Sequence, residues 1–168
     1  LDVVINHVSN YDWHPLKFID RDLYFQLDEK GNYASQCCGN LLDLDNKHVQ
    51  QYIIESLKYW MLEYHIDGFR FDQAHLLSLE TAELISNELR SINPAVIIYG
   101  EAWDNRSEEF SEVEWGSFNA YFRDVIRGDL HNFEQKGFLF GSYRPNEDKG
   151  DLKSIIAGTS KISGGVYK

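Results

Sequence analysis

Short apolar runs alternate with amphipathic helical segments along this chain, and that order constrains the fold more than any other feature. The predicted elements are a strand at 3–5, a helix at 46–64, a strand at 66–72, a helix at 78–93 and a strand at 96–99. Asn46 and Ser78 stand where the two helices would be capped. Strands that alternate with helices form parallel sheets with right-handed crossovers, so the sequence predicts an α/β fold.

Two regions lack a sustained period. Residues 8–45 carry turn signals throughout, and an irregular segment of that length is usually functional or a small subdomain. We therefore expect a long loop excursion after the first strand. Residues 115–132 are rich in aromatic side chains. Helical spacing occurs there at Phe122, Val125, Ile126 and Leu130.

The composition excludes two classes of partner. The 168 residues include 16 Lys and Arg against 27 Asp and Glu, which gives a net charge of −11. Nucleic-acid binding requires basic patches that displace counterions, so we expect no nucleic-acid partner. The longest apolar runs are far too short to span a bilayer, so we expect no membrane partner either.

The two cysteines, Cys37 and Cys38, are adjacent. Adjacent residues rarely form a disulfide because the backbone between them must distort. We therefore interpret them as free thiols, which favour a reducing compartment such as the cytoplasm. We also expect the N-terminus of a longer parent protein to be missing, which leaves secretion open.

Asp72 and Glu101 each follow a predicted strand, and adjacent parallel strands would bring their carboxyls to the same edge of the sheet. Two carboxylates across a glycosidic bond act as nucleophile and general acid, about 5–5.5 Å apart in retaining enzymes. Arg70 would share a strand face with Asp72 and favour its ionised form. The apolar run 96–99 before Glu101 would favour the protonated form of its carboxyl, which suits Glu101 to proton donation. The spacing of these residues alone favours a structural interpretation over a catalytic one. In it, Arg70 and Asp72 form an ordinary ion pair, and Glu101 is an acidic residue at the start of a helix.

Three sequence strings favour the catalytic interpretation over the ordinary ion pair. They are Asp-Val-Val-Ile-Asn-His at 2–7, Gly-Phe-Arg-Phe-Asp at 68–72 and Gly-Glu-Ala-Trp at 100–103. Their order and separations resemble three sequence regions of the α-amylase superfamily of retaining glycoside hydrolases, expected after barrel strands three, four and five. Residues 56–68 are most similar to the type I pullulanase and debranching-enzyme branch. The resemblance implies part of a (β/α)8 TIM barrel, roughly strands three to six with their helices. Residues 1–168 would then form an incomplete catalytic domain.

The resemblance implies hydrolysis of α-glucosidic bonds by a retaining double displacement. The partner would be an α-glucan polysaccharide or oligosaccharide, such as pullulan, branched starch or a glycogen-like polymer. Asp72 would be the nucleophile and Glu101 the general acid/base. Arg70 would orient Asp72, and His7 would hydrogen-bond the sugar in the cleaved subsite.

Two further positions have more than one interpretation. Many α-amylases carry a Lys-His pair three and four positions after the nucleophile, where this chain has His75 and Leu76. This departure fits debranching enzymes, and His75 is either a substrate contact or a hydrogen-bonded structural residue. Trp103 either forms a wall of a sugar subsite or packs beneath its own loop.

Asn6 matches a position that binds structural calcium in many α-amylases. Calcium takes six to eight oxygen ligands, and the sequence offers a single candidate. We therefore predict no metal and no other cofactor in this chain, and leave calcium open for a longer parent enzyme. Residues 43–46 lack the glycine and the closing glutamate of an EF-hand loop, and we interpret them as a capping turn.

The family's third carboxylate, an Asp in a His-Asp pair after strand seven, has no match, because no Asp after Glu101 is preceded by His. A complete barrel needs about 250 residues. We therefore expect a fragment that is inactive alone and self-associates through exposed barrel edges. The alternative is a non-catalytic α-glucan-binding module.

Overall fold

The computed structural model describes residues 1–10, 13–36, 39–103, 106–128, 132, 134, 136–140, 161–162 and 165–166. The chain divides into two compact units, Leu1–Gly116 and Ser117–Lys168. Cys37 and Cys38, predicted to be free thiols, lie outside the described residues. That residues 1–168 form one incomplete barrel domain stays a prediction.

Short strands and longer helices alternate through much of the chain. The strands are β1 (Asp2–Val3), β2 (His7–Val8), β3 (Ser35–Gln36), β4 (Gly39–Leu41), β5 (Gly68–Phe71), β6 (Ile97–Gly100), β7 (Gly116–Ser117), β8 (Lys161–Ile162) and β9 (Gly165–Val166). The helices are α1 (Pro15–Tyr24), α2 (Lys47–Tyr64), α3 (Leu79–Ile92), α4 (Ser107–Glu112) and α5 (Ala120–Arg127), with short 3-10 helices at Ala74–Leu76 and Phe138–Phe140. No helix among the described residues is long and apolar enough to cross a membrane.

The predicted parallel pairing is confirmed for β1, β5 and β6, which lie in a sheet of strand order β1-β5-β6-β7. β1 runs parallel to β5 with Asp2 opposite Arg70, and β5 runs parallel to β6 with Phe71 opposite Gly100. α2 and α3 lie in the connections between these strands. The carboxyl ends of β1, β5 and β6 therefore lie at one edge of the sheet, where βα folds carry their functional residues.

Both predicted helix starts are confirmed. The Asn46 side chain accepts a hydrogen bond from the His48 N–H at 2.9 Å. Ser78 Oγ accepts one from the Thr81 N–H at 3.2 Å. These bonds satisfy N–H groups that have no partner within the first helical turn, which is why the helices begin at these residues.

The N-terminal part of the chain differs from expectation in two respects. β1 covers Asp2–Val3 rather than residues 3–5, because its pairing with β5 ends at Val3, opposite Phe71. Residues 8–45, expected as a long loop excursion, contain α1 and most of a three-stranded antiparallel sheet in the order β2-β4-β3. Strands of two or three residues are too short to produce a visible alternation of apolar and polar positions.

The core of the first unit lies between the parallel sheet and its helices. Phe69 and Phe71 of β5 are almost fully buried, and the ring of Trp115 lies 4.5 Å from that of Phe71. The other face of β6 is different, because Ile97 and Tyr99 are 63% and 38% exposed. The sheet therefore has one face in the core and one that is partly open.

In the unit Ser117–Lys168, α5 is capped by the Asn119 side chain, which accepts a hydrogen bond from the Phe122 N–H at 2.9 Å. The predicted helical spacing at Phe122, Val125 and Ile126 falls within α5. Leu130, the fourth residue of that pattern, lies outside the described residues. β8 and β9 form an antiparallel pair in the same unit.

Gly100, the last residue of β6, lies against the 3-10 helix that follows Asp72. A Cβ added to Gly100 would lie 2.5 Å from the Cβ of Ala74, a distance that real Cβ atoms do not reach. The absence of a side chain at Gly100 thus allows Glu101 to approach the turn after Asp72.

Gly100→Ala should lower the free energy of unfolding by about 1–3 kcal/mol, because the added methyl group overlaps Ala74. Combining it with Ala74→Gly removes the overlap and should restore part of the loss, less the cost of a second flexible residue. Urea unfolding of both single variants and the double variant measures this coupling. A double variant no more stable than Gly100→Ala would contradict the contact.

Candidate active site

Arg70, Asp72 and Glu101, the three charged side chains predicted to meet at the carboxyl end of the sheet, do meet there, and Asp2 joins them at the Arg70 guanidinium. Arg70 Nη1 donates to Asp72 Oδ1 at 2.9 Å and to Asp2 Oδ1 at 2.8 Å. Arg70 Nη2 donates to Glu101 Oε1. Asp72 and Glu101 therefore share a single cation on the same edge of the sheet. Their expected separation of about 5–5.5 Å stays a prediction.

The environment keeps this cation charged. Burial acts to lower the pKa of Arg70, but its hydrogen bonds to Asp2 and Asp72 and the charge of Glu101 outweigh burial, and the pKa is raised. The exposed side-chain fractions are 17% for Arg70, 24% for Asp72 and 17% for Glu101. The carboxylates are thus shielded from bulk water yet keep some surface that a ligand can contact.

Gln73, directly after Asp72, has a left-handed backbone with φ 42° and ψ 47°. A residue with a Cβ pays about 1–2 kcal/mol for this conformation. The conformation coincides with a hydrogen bond from the Gln73 N–H to Glu101 Oε2 at 3.1 Å. The turn after β5 is thereby bonded to the carboxylate that follows β6.

Asn6 holds the backbone of this turn from the other side. Asn6 Nδ2 donates to the carbonyl oxygens of Asp72 at 2.7 Å and Gln73 at 2.9 Å. Asn6 is almost fully buried, with 1% of its surface exposed. Asn6 Oδ1 lies 2.6 Å from His7 Nδ1. Because an amide oxygen only accepts, Nδ1 of His7 donates in this bond, and in that tautomer Nε2 is the acceptor.

These bonds show that Asn6 positions the turn, a role that the sequence does not predict. The signals in the sequence are the polar pair Asn6-His7 directly after an apolar run and its place in the string 2–7. Among the described residues, no group of three or more His, Cys, Asp or Glu side chains is arranged to hold a metal ion. That this chain binds no metal stays a prediction, with Asn6 as the single candidate ligand for calcium in a longer parent enzyme.

His75 and Trp103, the other two predicted contacts, lie in the segments that follow Asp72 and Glu101. The His75 N–H donates to the carbonyl oxygen of Glu101 at 3.2 Å. His75 Nδ1 is buried and has no hydrogen-bond partner among the described residues. Trp103 is partly buried, and its carbonyl oxygen accepts the Arg106 N–H at 3.2 Å. Contact of either side chain with a substrate stays a prediction.

Known proteins are similar to this chain in both sequence and structure, although no family model matches it. A pullulanase of Bacillus subtilis is 28% identical over 172 residues, which covers 95% of this chain and 24% of that protein. A glycogen debranching enzyme of Escherichia fergusonii is 42% identical over 145 residues, which covers 76% of this chain and 22% of that protein.

Solved pullulanase structures also resemble this chain. Type I pullulanase of Bacillus subtilis, complexed with maltose, superposes with a TM-score of 0.82 at 26% identity, covering 99% of this chain and 25% of that one. Pullulanase of Anoxybacillus sp. LM18-11, complexed with maltotetraose, gives a TM-score of 0.80 at 31% identity, with coverages of 94% and 24%.

The chain is homologous to the debranching-enzyme branch of the α-amylase superfamily. It spans about a quarter of the length of the relatives it matches. The parallel sheet with its crossover helices is part of a (β/α)8 TIM barrel, as the sequence predicts. This homology also agrees with the three sequence strings at 2–7, 68–72 and 100–103.

Asn6→Asp tests the positioning role of Asn6. The substitution replaces the donating amide with a carboxylate that faces two carbonyl oxygens, so the free energy of unfolding should fall by roughly 3 kcal/mol at pH 7. Burial favours the protonated form of the introduced carboxyl. The loss relative to the natural chain is therefore full above the raised pKa of that carboxyl and should shrink as the pH falls towards 4.

Asn87→Asp is the matched control, because Asn87 is exposed on α3 and the same charge is added there. It should change stability by less than about 0.5 kcal/mol. Guanidinium unfolding at pH 7 and pH 4 compares the two variants. Equal losses in both would contradict the role of Asn6.

Proposed function

We propose that this chain carries the nucleophile and the general acid/base of a retaining hydrolase that acts on branched α-glucans. The observation that supports this most directly is the pair of carboxylates, Asp72 and Glu101, bonded to the two Nη atoms of Arg70 at the ends of neighbouring parallel strands. The homology to pullulanases and glycogen debranching enzymes supports the same chemistry.

In this proposal Asp72 attacks the anomeric carbon of the substrate while Glu101 donates a proton to the departing glycosidic oxygen. A bond forms between Asp72 and the sugar, and the shortened glucan leaves. Glu101 then removes a proton from a water molecule, which attacks the same carbon and releases Asp72. Arg70 aims Asp72 at the substrate through its hydrogen bond to Asp72 Oδ1.

The hydrogen bonds of Glu101 match the second half of this cycle. Both of its carboxylate oxygens accept, one from Arg70 and one from the Gln73 N–H. That arrangement suits the ionised form, which acts as the general base. Donation of a proton in the first half requires Glu101 to take up a proton and to release one of these two bonds.

Two observations support an α-glucan as the substrate. The similar pullulanase structures were determined with maltose and with maltotetraose. In this chain, His7 Nε2 is an acceptor that suits a sugar hydroxyl, because Asn6 occupies Nδ1. His7, Trp103 and His75 are proposed to contact the sugar.

In the longest protein that the gene encodes, Asp72→Asn should abolish release of reducing sugar from pullulan while leaving the fold intact. Glu101→Gln should slow the natural glucan by at least about a hundredfold and an activated aryl glycoside much less, because a good leaving group needs little protonation. Asp67→Asn is the control, since Asp67 is exposed at the opposite end of β5. Retained turnover in Asp72→Asn, with glucan still bound, would favour the non-catalytic binding module.

The 168-residue chain alone should release no reducing sugar, because it has no match to the family's third carboxylate.

The 168-residue chain should also sediment as more than a monomer, because the open face of β6 exposes Ile97. Apolar surface on an open sheet favours association. Ile97→Lys should shift the sedimenting species towards the monomer. Leu62→Lys, at a similarly exposed position of α2, should not. Association unaffected by Ile97→Lys would rule out this face.

A further inference from the structure

Arg106 connects the segment after Glu101 to the turn after Asp72. Its Nη1 donates to the carbonyl oxygen of Leu77 at 2.9 Å and to that of His75. Both carbonyls belong to the 3-10 helix Ala74–Leu76 and its C-cap. One guanidinium group therefore binds the far end of the turn that begins at Asp72.

The guanidinium of Arg106 is fixed on two other sides. Its Nε donates to Glu109 Oε2 at 2.8 Å, and its central carbon lies 5.2 Å from the centre of the Phe110 ring. Phe110 is fully buried, so it provides a rigid surface. A planar fork makes these contacts together, whereas the single ammonium of a lysine does not.

Glu101 is bonded to the same turn nearer its start. Its Oε2 accepts the Gln73 N–H at 3.1 Å, and its carbonyl oxygen accepts the His75 N–H at 3.2 Å. A displacement of the turn would therefore move Glu101. Arg70 bonds to both carboxylates, but the backbone of Asp72 has separate support, because its N–H donates to the Val3 carbonyl oxygen at 3.0 Å and its carbonyl oxygen accepts from Asn6 at 2.7 Å.

We propose that Arg106 is a positioning residue for proton transfer by Glu101. By binding the carbonyls of His75 and Leu77, it fixes the turn from which the Gln73 N–H donates to Glu101. This role rests on the function proposed above. Arg106 acts through the turn, so its loss should impair the acid/base more than the nucleophile.

In the longest protein that the gene encodes, Arg106→Gln should lower kcat on pullulan by about tenfold to a hundredfold with little change in KM. Misplacing a reacting group by about an ångström costs that much in the transition state without weakening binding. An activated aryl glycoside needs little protonation, so its kcat should fall by less than about threefold. Arg106→Lys should give an intermediate loss on pullulan.

Arg90→Gln is the matched control. Arg90 also donates to a backbone carbonyl, that of Glu114 at 2.9 Å, and its side chain is 25% exposed like that of Arg106. It joins α3 to the turn after α4, so both substrates should keep their rates. Equal losses on the two substrates for Arg106→Gln, or the same pattern in Arg90→Gln, would overturn the proposal.

Amide hydrogen exchange in the 168-residue chain gives a second readout that needs no activity. Arg106→Gln should speed exchange of the Gln73 and His75 N–H groups by roughly tenfold, while the Asp72 N–H keeps its protection. Arg90→Gln should leave all three unchanged. Unaltered exchange at Gln73 and His75 would overturn the role of Arg106, whereas an inactive natural protein would overturn only the proposed function.

Discussion

The rest of the site depends on the ion pairs that Arg70 makes with its neighbouring carboxylates. Arg70 belongs to β5, which lies between β1 and β6. Its guanidinium therefore faces Asp2 on one side and Glu101 on the other, with Asp72 beside it. Neighbouring carboxylates repel each other, and partial burial strengthens the repulsion because the local dielectric is low. A cation with a planar fork offsets this repulsion and also sets the direction of each carboxylate. Removing it would leave like charges facing each other at the end of the sheet.

Backbone geometry brings the two carboxylates within reach of that cation. Gly100 allows β6 to approach Ala74, and the left-handed conformation of Gln73 directs an N–H at Glu101. Neither feature is favourable in isolation. The amide of Asn6 compensates by satisfying two carbonyls of the strained turn. The site therefore contains backbone conformations that are unfavourable alone, and contacts from neighbouring segments stabilise them.

How much of this is predictable from sequence depends on the range of each interaction. α2 and α3 have 18 and 14 residues, long enough for their periodicity and caps to be recognised. The Arg70–Asp72 pair follows from the period of two along a strand. The bond from Asn6 to the Asp72 carbonyl joins residues 66 positions apart, and that of Arg106 to Leu77 joins residues 29 apart. No pattern identifies which distant carbonyl an amide or a guanidinium will meet, so these contacts emerge only from the fold.

The small antiparallel sheet has a consequence for how such a site diversifies. His7 is the first residue of β2 and lies opposite Leu41 of β4, while Asn6 next to it binds the turn after β5. The backbone of His7 therefore belongs to the small antiparallel sheet, although its ring is bonded to Asn6, which holds the turn after β5. Substitutions in β4 can shift this imidazole without altering any strand of the parallel sheet. Selection for a different ligand can thus act on this small sheet while Asp72, Glu101 and their shared cation Arg70 stay unchanged.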